Sequence, residues 1–270
     1  MDSTTPVPGS KLSRLSAVAA MVFIAVKLQL RSERGSPAAL IIGVVQPVVF
    51  ITVTTQVESG RDDQVNTGLV IGVGLLAVWG ATVWTAGAIL RWEAIGGTLA
   101  ANVTGMWSPA LVLFGKSLGA TIRNTATVVV SVAVSVAVLR VHVPMRHPWW
   151  FIAGVVGVLV SGVALGMLLS CIFLLTRHGE AVASALMYAL FILGGVAIPV
   201  SFLPTQIAWL SQLVSLRWAQ ELLVQASSGT PNAYTLGALF GLAAAYGVAA
   251  VALLSLIVNR ARRRGTLELA

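Results

Sequence analysis

Long apolar runs constrain the fold of this chain more than any other feature of its sequence. A helix of about 20 apolar residues crosses the hydrocarbon core of a bilayer, which is roughly 30 Å thick. Lipid offers no partners for free backbone groups, so helices are favoured there. Only 10% of the 270 residues are charged, whereas soluble domains carry about 25%. The sequence therefore predicts one all-α integral membrane domain over 1–270, with six transmembrane helices at 37–57, 68–90, 117–139, 149–176, 181–199 and 233–258.

A further apolar stretch near the amino terminus, residues 15–26, is too short to span the bilayer. Lys27, Arg31 and Arg34 follow it and fall on one helical face. This pattern predicts an amphipathic helix over 10–34 that lies in the membrane interface. The alternative is a signal peptide, but three basic residues come directly after the apolar stretch, and no clear small-residue cleavage site precedes them.

Lys and Arg are unevenly divided between the two sides of the predicted helix bundle. Cytoplasmic segments of membrane proteins carry an excess of these residues. With the amino terminus inside, 13 of the 17 Lys and Arg lie on the cytoplasmic side. Six spans return the carboxyl terminus to that side, where residues 259–270 form a basic tail. The charge distribution predicts both ends in the cytoplasm, with a disordered tail at 1–9. It also favours a lipid surface over nucleic acid as the partner of the net charge of +8.

Two nucleotide-like motifs fail on their context. Gly72-Val-Gly74-Leu-Leu-Ala77 matches a dinucleotide pattern, but it lies in mid-span with no strand before it. Gly115-Lys116-Ser117 resembles the end of a phosphate-binding loop, but position 110 is alanine where the first glycine is required. The chain is therefore expected to have no nucleotide site of its own.

Ionisable residues avoid the predicted membrane centre. All nine acids map to loops, span ends or tails. Carriers driven by protons or sodium place ionisable groups within their spans, so the energy for any transport is expected to enter through a loop. His142 and His147 have no carboxylate or thiol at ligand spacing, which argues against a metal. Cys171 lies in an apolar run and is expected to be a buried, inert thiol.

Glycine pairs with the spacing GxxxG occur in four of the predicted spans or their flanks. Such pairs let two membrane helices approach closely. With 26 glycines in an apolar chain, several arise by chance. Close helix packing is the default interpretation for the four pairs, which are Gly68/Gly72, Gly115/Gly119, Gly162/Gly166 and Gly237/Gly241.

Two connections between spans are much longer than the others. The inside segment 91–116 is amphipathic and helix-compatible in its first part, and Pro109 is expected to end or redirect that helix. Such a helix would lie parallel to the membrane, either as a membrane-hugging linker or as a docking helix for a soluble motor. The outside segment 200–231 follows a charge-free run that Pro199 and Pro204 interrupt, because proline breaks helices.

Both long segments resemble those of the type-2 ATP-binding-cassette exporter permeases. The inside loop of that family carries an acid, a Gly-Thr-Leu run, a proline and a Gly-Lys pair; here these are Glu93, Gly97-Thr98-Leu99, Pro109 and Gly115-Lys116. The outer segment of the family has a Gly-rich span end, a proline, a Leu-Pro pair and an amphipathic stretch ending near glycine. The corresponding residues are Gly194-Gly195, Pro199, Leu203-Pro204 and Gly229. With the interfacial helix, the resemblance covers nearly the whole chain.

The resemblance implies a homodimer, or a dimer with a related permease, in which each subunit binds a separate cytoplasmic ATPase. ATP and Mg would be held by that ATPase, and this chain would bind no cofactor and catalyse no reaction. The loop helix around 92–106 would sit in a cleft of the ATPase. The residues expected to couple to it are Glu93, Gly97, Thr98, Leu99, Pro109, Lys116, Arg31 and Arg34. Glu93 would make a polar contact with the ATPase, while Gly97, Thr98 and Leu99 would allow close approach and bury an apolar tip.

The resemblance also implies an exit route. The outer segment would dip into the outer leaflet and gate exit, with Pro199, Leu203 and Pro204 as its candidate gate residues. The pathway would lie at the dimer interface, lined by the first, second and fifth spans, and Gln46, Trp79 and Trp84 are candidates to face it. Contact with lipid is the alternative for the two tryptophans.

An uncharged pathway suits a hydrophobic or amphipathic cargo. The resemblance favours export of a drug or antibiotic across a bacterial cytoplasmic membrane, with a lipid-linked glycan or lipid as the alternative. A non-transporting membrane scaffold or an intramembrane enzyme would be a different class of protein. An enzyme should show clustered His, Asp, Ser or Glu at one membrane depth, which the sequence does not show.

Overall fold

The computed structural model describes residues 11–32, 44–57, 63–105, 107–140, 144–176, 179–195 and 204–264. All regular elements within these ranges are helices, as the sequence predicts. They are α1 (Lys11–Ser32), α2 (Gln46–Val57), α3 (Asp63–Thr85), α4 (Ile89–Ile95), α5 (Leu99–Thr104), α6 (Pro109–Leu139), α7 (Pro148–Leu175), α8 (Gly179–Leu193), α9 (Thr205–Ser211), α10 (Ser215–Ser228) and α11 (Ala233–Arg264).

Five helical stretches within the described residues are long and apolar enough to cross a membrane, judged by length and composition alone. Four of them correspond to the second, third, fourth and sixth predicted spans, and the fifth is Leu15–Ser32 of α1. The first and fifth predicted spans are represented by the shorter helices α2 and α8. The residues next to these two helices, 33–43 and 196–203, lie outside the described ranges, as do the predicted tail at 1–9 and residues 265–270. The count of six spans and their orientation stay predictions.

The third span begins earlier than the sequence indicates. The sequence predicts a start at about Ser117. Instead α6 begins at Pro109, which occupies a first-turn position of the helix. Proline is favoured there because its fixed φ suits the helix and its missing N–H would have no partner. With 31 residues, α6 is about 46 Å long, so it is longer than the hydrocarbon core.

The fourth span, α7, is the hub of the bundle, because α3, α4, α6, α10 and α11 all pack against it. Glycines on α7 make room for its neighbours. A Cβ atom at Gly157 would lie 2.5 Å from Leu239 of α11, and one at Gly166 would lie 2.6 Å from Ala86. Cys171 of α7 is fully buried, as predicted, with its Sγ atom 3.9 Å from the carbonyl oxygen of Ala250.

Close helix packing is realised at only some of the four GxxxG pairs. At Gly115 and Gly119 of α6, added Cβ atoms would lie 2.6 Å from the Cβ of Ala25 and 2.9 Å from the carbonyl oxygen of Val26. Helix α1 is therefore seated directly on this pair. Gly162 and Gly166 of α7 are similarly tight, at 3.0 Å and 2.6 Å from their nearest neighbours. By contrast, Gly237 and Gly241 of α11 meet nothing within 4 Å.

The two contrasting pairs give a matched test of how α1 is held. We expect the double change Gly115→Leu and Gly119→Leu to displace α1 from α6. Atoms of α1 already occupy the positions that the leucine side chains would need. The thermal midpoint of the detergent-purified protein should fall by several degrees, and α1 should become sensitive to protease. The control, Gly237→Leu with Gly241→Leu, should leave both unchanged. Equal effects of the two double changes would contradict the conclusion that α1 packs on Gly115 and Gly119.

Candidate functional site

The inside loop consists of two short helices joined by a tight turn. The sequence analysis expected a single docking helix over 92–106; the structure instead has α4 and α5, separated by Gly96, Gly97 and Thr98. Gly97 adopts a φ of +69°, a conformation that costs other residues about 1–2 kcal/mol. The amide of Thr98 donates to the carbonyl of Glu93 at 2.9 Å and closes the turn. The turn between α4 and α5 therefore uses a conformation that glycine adopts without steric strain.

The carboxylate of Glu93 joins three helices. It forms an ion pair with Lys116 of α6 and accepts a hydrogen bond from the amide nitrogen of Asn102 of α5 at 2.8 Å. The side chains of Lys116 and Glu93 are only 13% and 10% exposed. Since a charge-assisted contact is stronger when it is shielded from water, Glu93 fixes the positions of α4 and α5 on the end of α6.

A second set of contacts fixes α4 to the end of α7. The amide of Leu90 donates to the Ser170 hydroxyl at 2.9 Å. The Arg91 guanidinium donates to the carbonyl of Thr176 at 3.1 Å, and Thr176 is the C-cap of α7. A cation at this position also interacts favourably with the negative end of the helix dipole. The loop is thereby attached to the ends of two long helices.

Leu99 is buried in the protein's own core, beside Leu90, Leu113 and Leu254. The sequence analysis expected it at an exposed apolar tip. The exposed apolar side chains are instead Trp92 and Ile95, which are 64% and 68% exposed. We call the surface formed by Trp92, Ile95, Gly96, Gly97 and Thr98 the loop knob. All five of its residues are exposed.

Sequence reasoning missed the roles of Arg91, Trp92, Ile95 and Asn102. Trp92 and Ile95 are three residues apart, as are residues on one helical face, and this spacing was available as a signal. Leu99 and Val103, which are four residues apart, also share one helical face, and this second face is buried. The two faces belong to different helices, which a single-helix prediction merges. Nothing in the sequence pointed to the contact between Asn102 and Glu93.

The other predicted coupling residues are dispersed. Pro109 begins α6 rather than ending a loop helix. Arg31 is exposed in the last turn of α1, and Arg34 lies outside the described residues. Their part in coupling to an ATPase stays a prediction.

The outer segment folds back along α7. At one end of α10, the hydroxyls of Ser215 and Ser161 lie 2.8 Å apart and are buried. At the other end, the amide of His147 donates to the carbonyl of Ala226 at 3.1 Å. His147 caps the start of α7 and Ser161 lies at its middle, so α10 extends along half the length of that helix. Its buried face includes Leu216, Ala219, Leu222, Leu223 and Ala226.

The turn between α9 and α10 is held by the sixth predicted span. The hydroxyl of Tyr246, on α11, donates to the carbonyl of Leu213 and accepts from the amide of Ser215 at 3.3 Å. Pro204 precedes α9 as its N-cap residue and is exposed. Of the other predicted gate residues, Pro199 and Leu203 lie outside the described residues.

The three candidate pathway residues differ in exposure. Trp79 is 2% exposed and packs in the core between α3, α7 and α10. Trp84 is 36% exposed, and Gln46 is half-buried at the start of α2. In the single chain Trp79 therefore faces neither lipid nor an open route.

Together these features define a multi-pass helical membrane protein with a braced loop at one end and a segment folded back along a span at the other. The chain matches the family model of the ABC-2 type transporter over residues 20–227, and it belongs to that family. It is therefore a membrane transport component, and the family implies association with an ABC ATPase. No curated protein shows a significant match to the chain.

The bracing role of Glu93 can be measured by a double-mutant cycle with Lys116. Each single change, Glu93→Gln or Lys116→Met, leaves a largely buried group without its charged partner, at a cost of about 1–3 kcal/mol. In each single variant we expect faster hydrogen exchange at the backbone amides of Thr98 and Asn102, measured by mass spectrometry. The double variant should lose less than the sum of the singles. The bracing role of Glu93 would be contradicted if the effects of the two single changes were additive. Exchange no faster than in the exposed-site control Lys27→Met would contradict it as well.

Proposed function

We propose that this chain is the permease subunit of an ATP-driven exporter that moves a hydrophobic or amphipathic compound, in the first place a drug or antibiotic, out across the cytoplasmic membrane. The observation that carries the proposal is the loop knob, an exposed apolar surface fixed to the ends of two long helices in a chain of the ABC-2 type transporter family. ATP and Mg would be bound by a separate ATPase subunit.

The loop knob supports the proposal because of its shape and its bracing. Trp92 is of a residue type that is enriched among interface hot spots, and Ile95 adds exposed apolar surface beside it that a partner protein can bury. Gly97 beside them leaves the backbone open, since a Cβ atom there would meet nothing within 4 Å. A partner backbone can therefore approach closely. Because Glu93 and Arg91 hold the loop to α6 and α7, a push on the knob would move those helices with it.

In this proposal Glu93 acts mainly by positioning the knob, rather than by reaching the ATPase itself. Its carboxylate is engaged by Lys116 and Asn102. A charge reversal at Glu93 would therefore disturb both the loop and the interface, and a loss of ATPase binding would have two explanations. The exposed side chains of the knob provide a cleaner test, because their removal leaves the brace in place.

The packing of the outer segment supports the proposal that α10 acts as an exit gate. Helix α10 inserts an apolar face beside α3, α7 and α11, and its ends are tied to α7 and α11 by a few hydrogen bonds. A helix attached in this way can shift as a unit when the spans rearrange. The cargo would be apolar over most of its surface, since the acidic residues of the chain map to loops, span ends or tails and leave an uncharged route.

The first experiment tests the loop knob by capture of the partner ABC ATPase on the tagged full chain. We expect Trp92→Ser with Ile95→Ser to reduce co-purification of the ATPase by roughly tenfold or more, because hot-spot side chains of this kind each contribute about 2 kcal/mol or more. ATP-dependent uptake of a hydrophobic dye into inverted vesicles, whose cytoplasmic face is outward, should fall in parallel.

The matched control is Trp149→Ser with Ile152→Ser, which removes an aromatic and an aliphatic side chain of similar exposure, 80% and 53%, at the opposite end of the bundle. It should retain full ATPase capture. Unchanged capture by the knob variant, with both variants equally stable, would rule out the knob as the docking surface.

A second experiment tests the gate with a reversible cross-link. The Ser161 and Ser215 hydroxyls are 2.8 Å apart, close enough for cysteines placed there to form a disulfide with small adjustments. In a Cys171→Ser background, oxidised Ser161→Cys/Ser215→Cys protein should still bind the ATPase but lose export, and a reductant should restore it. Export at the full rate by quantitatively cross-linked protein would show that α10 does not need to move.

A further inference from the structure

A large apolar cleft lies between the third and fourth spans, in the half of the bundle away from the inside loop. Near its inner end α6 and α7 are in close contact, because a Cβ atom added at Gly162 would lie only 3.0 Å from the methyl group of Thr121. Towards the other end the two helices diverge around an open cleft of about 540 Å³. Its floor is formed by α3 and by Leu223 of α10. The two spans thus form a wedge that opens away from the loop.

The lining of the cleft is almost entirely aliphatic. Along α6 it extends from Thr125 to Ala137, and the other lining side chains are mainly valines, with Phe151 and Val155 on α7. Twelve helical steps correspond to roughly 18 Å, close to the roughly 15 Å thickness of one leaflet's hydrocarbon. Val129 is 53% exposed, so the cleft is open at the side of the bundle, at membrane depth. Its dimensions and chemistry therefore match an aliphatic chain that lies along the bilayer normal.

Two arginines follow lining residues of the cleft in sequence at its wide end, and the side chain of Arg146 passes close to Gly229 at the end of α10. Arg140 caps the end of α6, three residues after the lining residue Ala137. Arg146 directly follows the lining residue Met145, and both arginines are exposed. At this end of the spans the lipid headgroups begin, and arginine binds phosphate through two parallel hydrogen bonds. The cleft thus combines an apolar slot with a basic rim at headgroup level.

From this combination we infer that the cleft between α6 and α7 binds one acyl chain of an anionic phospholipid from the leaflet away from the inside loop, with the headgroup phosphate at Arg140 and Arg146. The lipid fills the wedge and supports the open ends of the two spans. The site shares α3 and Leu223 of the proposed gate helix α10 as its floor, but it opens between α6 and α7 and does not depend on the identity of the cargo.

The hydroxyl of Thr125 distinguishes a lipid tail from a polar ligand. Thr125 is 7% exposed at the inner end of the cleft, and its Oγ1 atom has no hydrogen-bond partner among the described residues. An acyl chain would place only methyl or methylene groups there. A cargo molecule with a polar group would instead use this hydroxyl. The isosteric change Thr125→Val therefore leaves lipid binding intact and weakens binding of a polar ligand.

The test is native mass spectrometry of the detergent-purified full chain, titrated with phosphatidylglycerol or phosphatidylcholine. We expect the first phosphatidylglycerol to bind more tightly than phosphatidylcholine. Ala133→Trp, which fills the cleft, should weaken that first binding by roughly tenfold, as exclusion of about two methylene groups implies. Val134→Trp is the matched control, because the adjacent Val134 is exposed and does not line the cleft. Arg140→Gln with Arg146→Gln should abolish the preference for the anionic lipid.

Three results would overturn the inference. Equal binding by the Ala133→Trp and Val134→Trp variants would place the lipid elsewhere. A loss of binding in Thr125→Val would indicate a hydroxyl-dependent ligand instead of an acyl chain. A shift from dimer to monomer in Ala133→Trp, with lipid binding unchanged, would assign the cleft to a second copy of this chain. If Ala133→Trp does not fold, Ala137→Trp fills the wide end of the same cleft and gives the same comparison.

Discussion

The ion pair between Glu93 and Lys116 is the interaction on which the proposed coupling depends. Helices α4 and α5 have only seven and six residues, and helices of this length are not stable without contacts to the rest of the protein. The ion pair supplies such a contact. With Asn102 as the third partner, the loop has a fixed position at the end of α6, and Arg91 connects it to α7. The exposed Trp92 and Ile95 are thereby presented on a rigid support, so that docking at the knob and movement of the spans are mechanically joined.

The helical character of the chain could be predicted from sequence, because runs of apolar residues leave few alternatives in lipid. The start of α6 at Pro109 could not be predicted in the same way, because the contact between Lys116 and Glu93 that joins this end of the helix to the loop is remote in sequence. The division of the loop into two helices depends on the positive φ of Gly97. A Gly-Gly pair indicates such a turn only weakly when the flanking residues are compatible with one helix.

The candidate site shows the same limit. The motif positions identified the loop correctly as a distinct element, but not which side chains face outwards. Leu99 lies inside because it packs in one cluster with Leu90, Leu113 and Leu254 of three other helices, and Leu254 is more than 150 residues away in sequence. The four GxxxG pairs look equivalent, yet Gly115/Gly119 hold α1 while Gly237/Gly241 meet nothing within 4 Å. Tertiary packing, rather than local pattern, decides each of these cases.

The most direct test of the central claim, that the loop moves as one body with α6 and α7, is a distance measurement by electron paramagnetic resonance between spin labels at Ala101 of α5 and Leu175 of α7, both exposed. Labelled chains are diluted with unlabelled ones, in the complex with the ATPase, with and without trapped nucleotide. The account predicts a narrow distance distribution that stays the same in both states. A distribution that shifts or broadens with nucleotide would contradict it, because the loop would then move independently of the span to which it is attached.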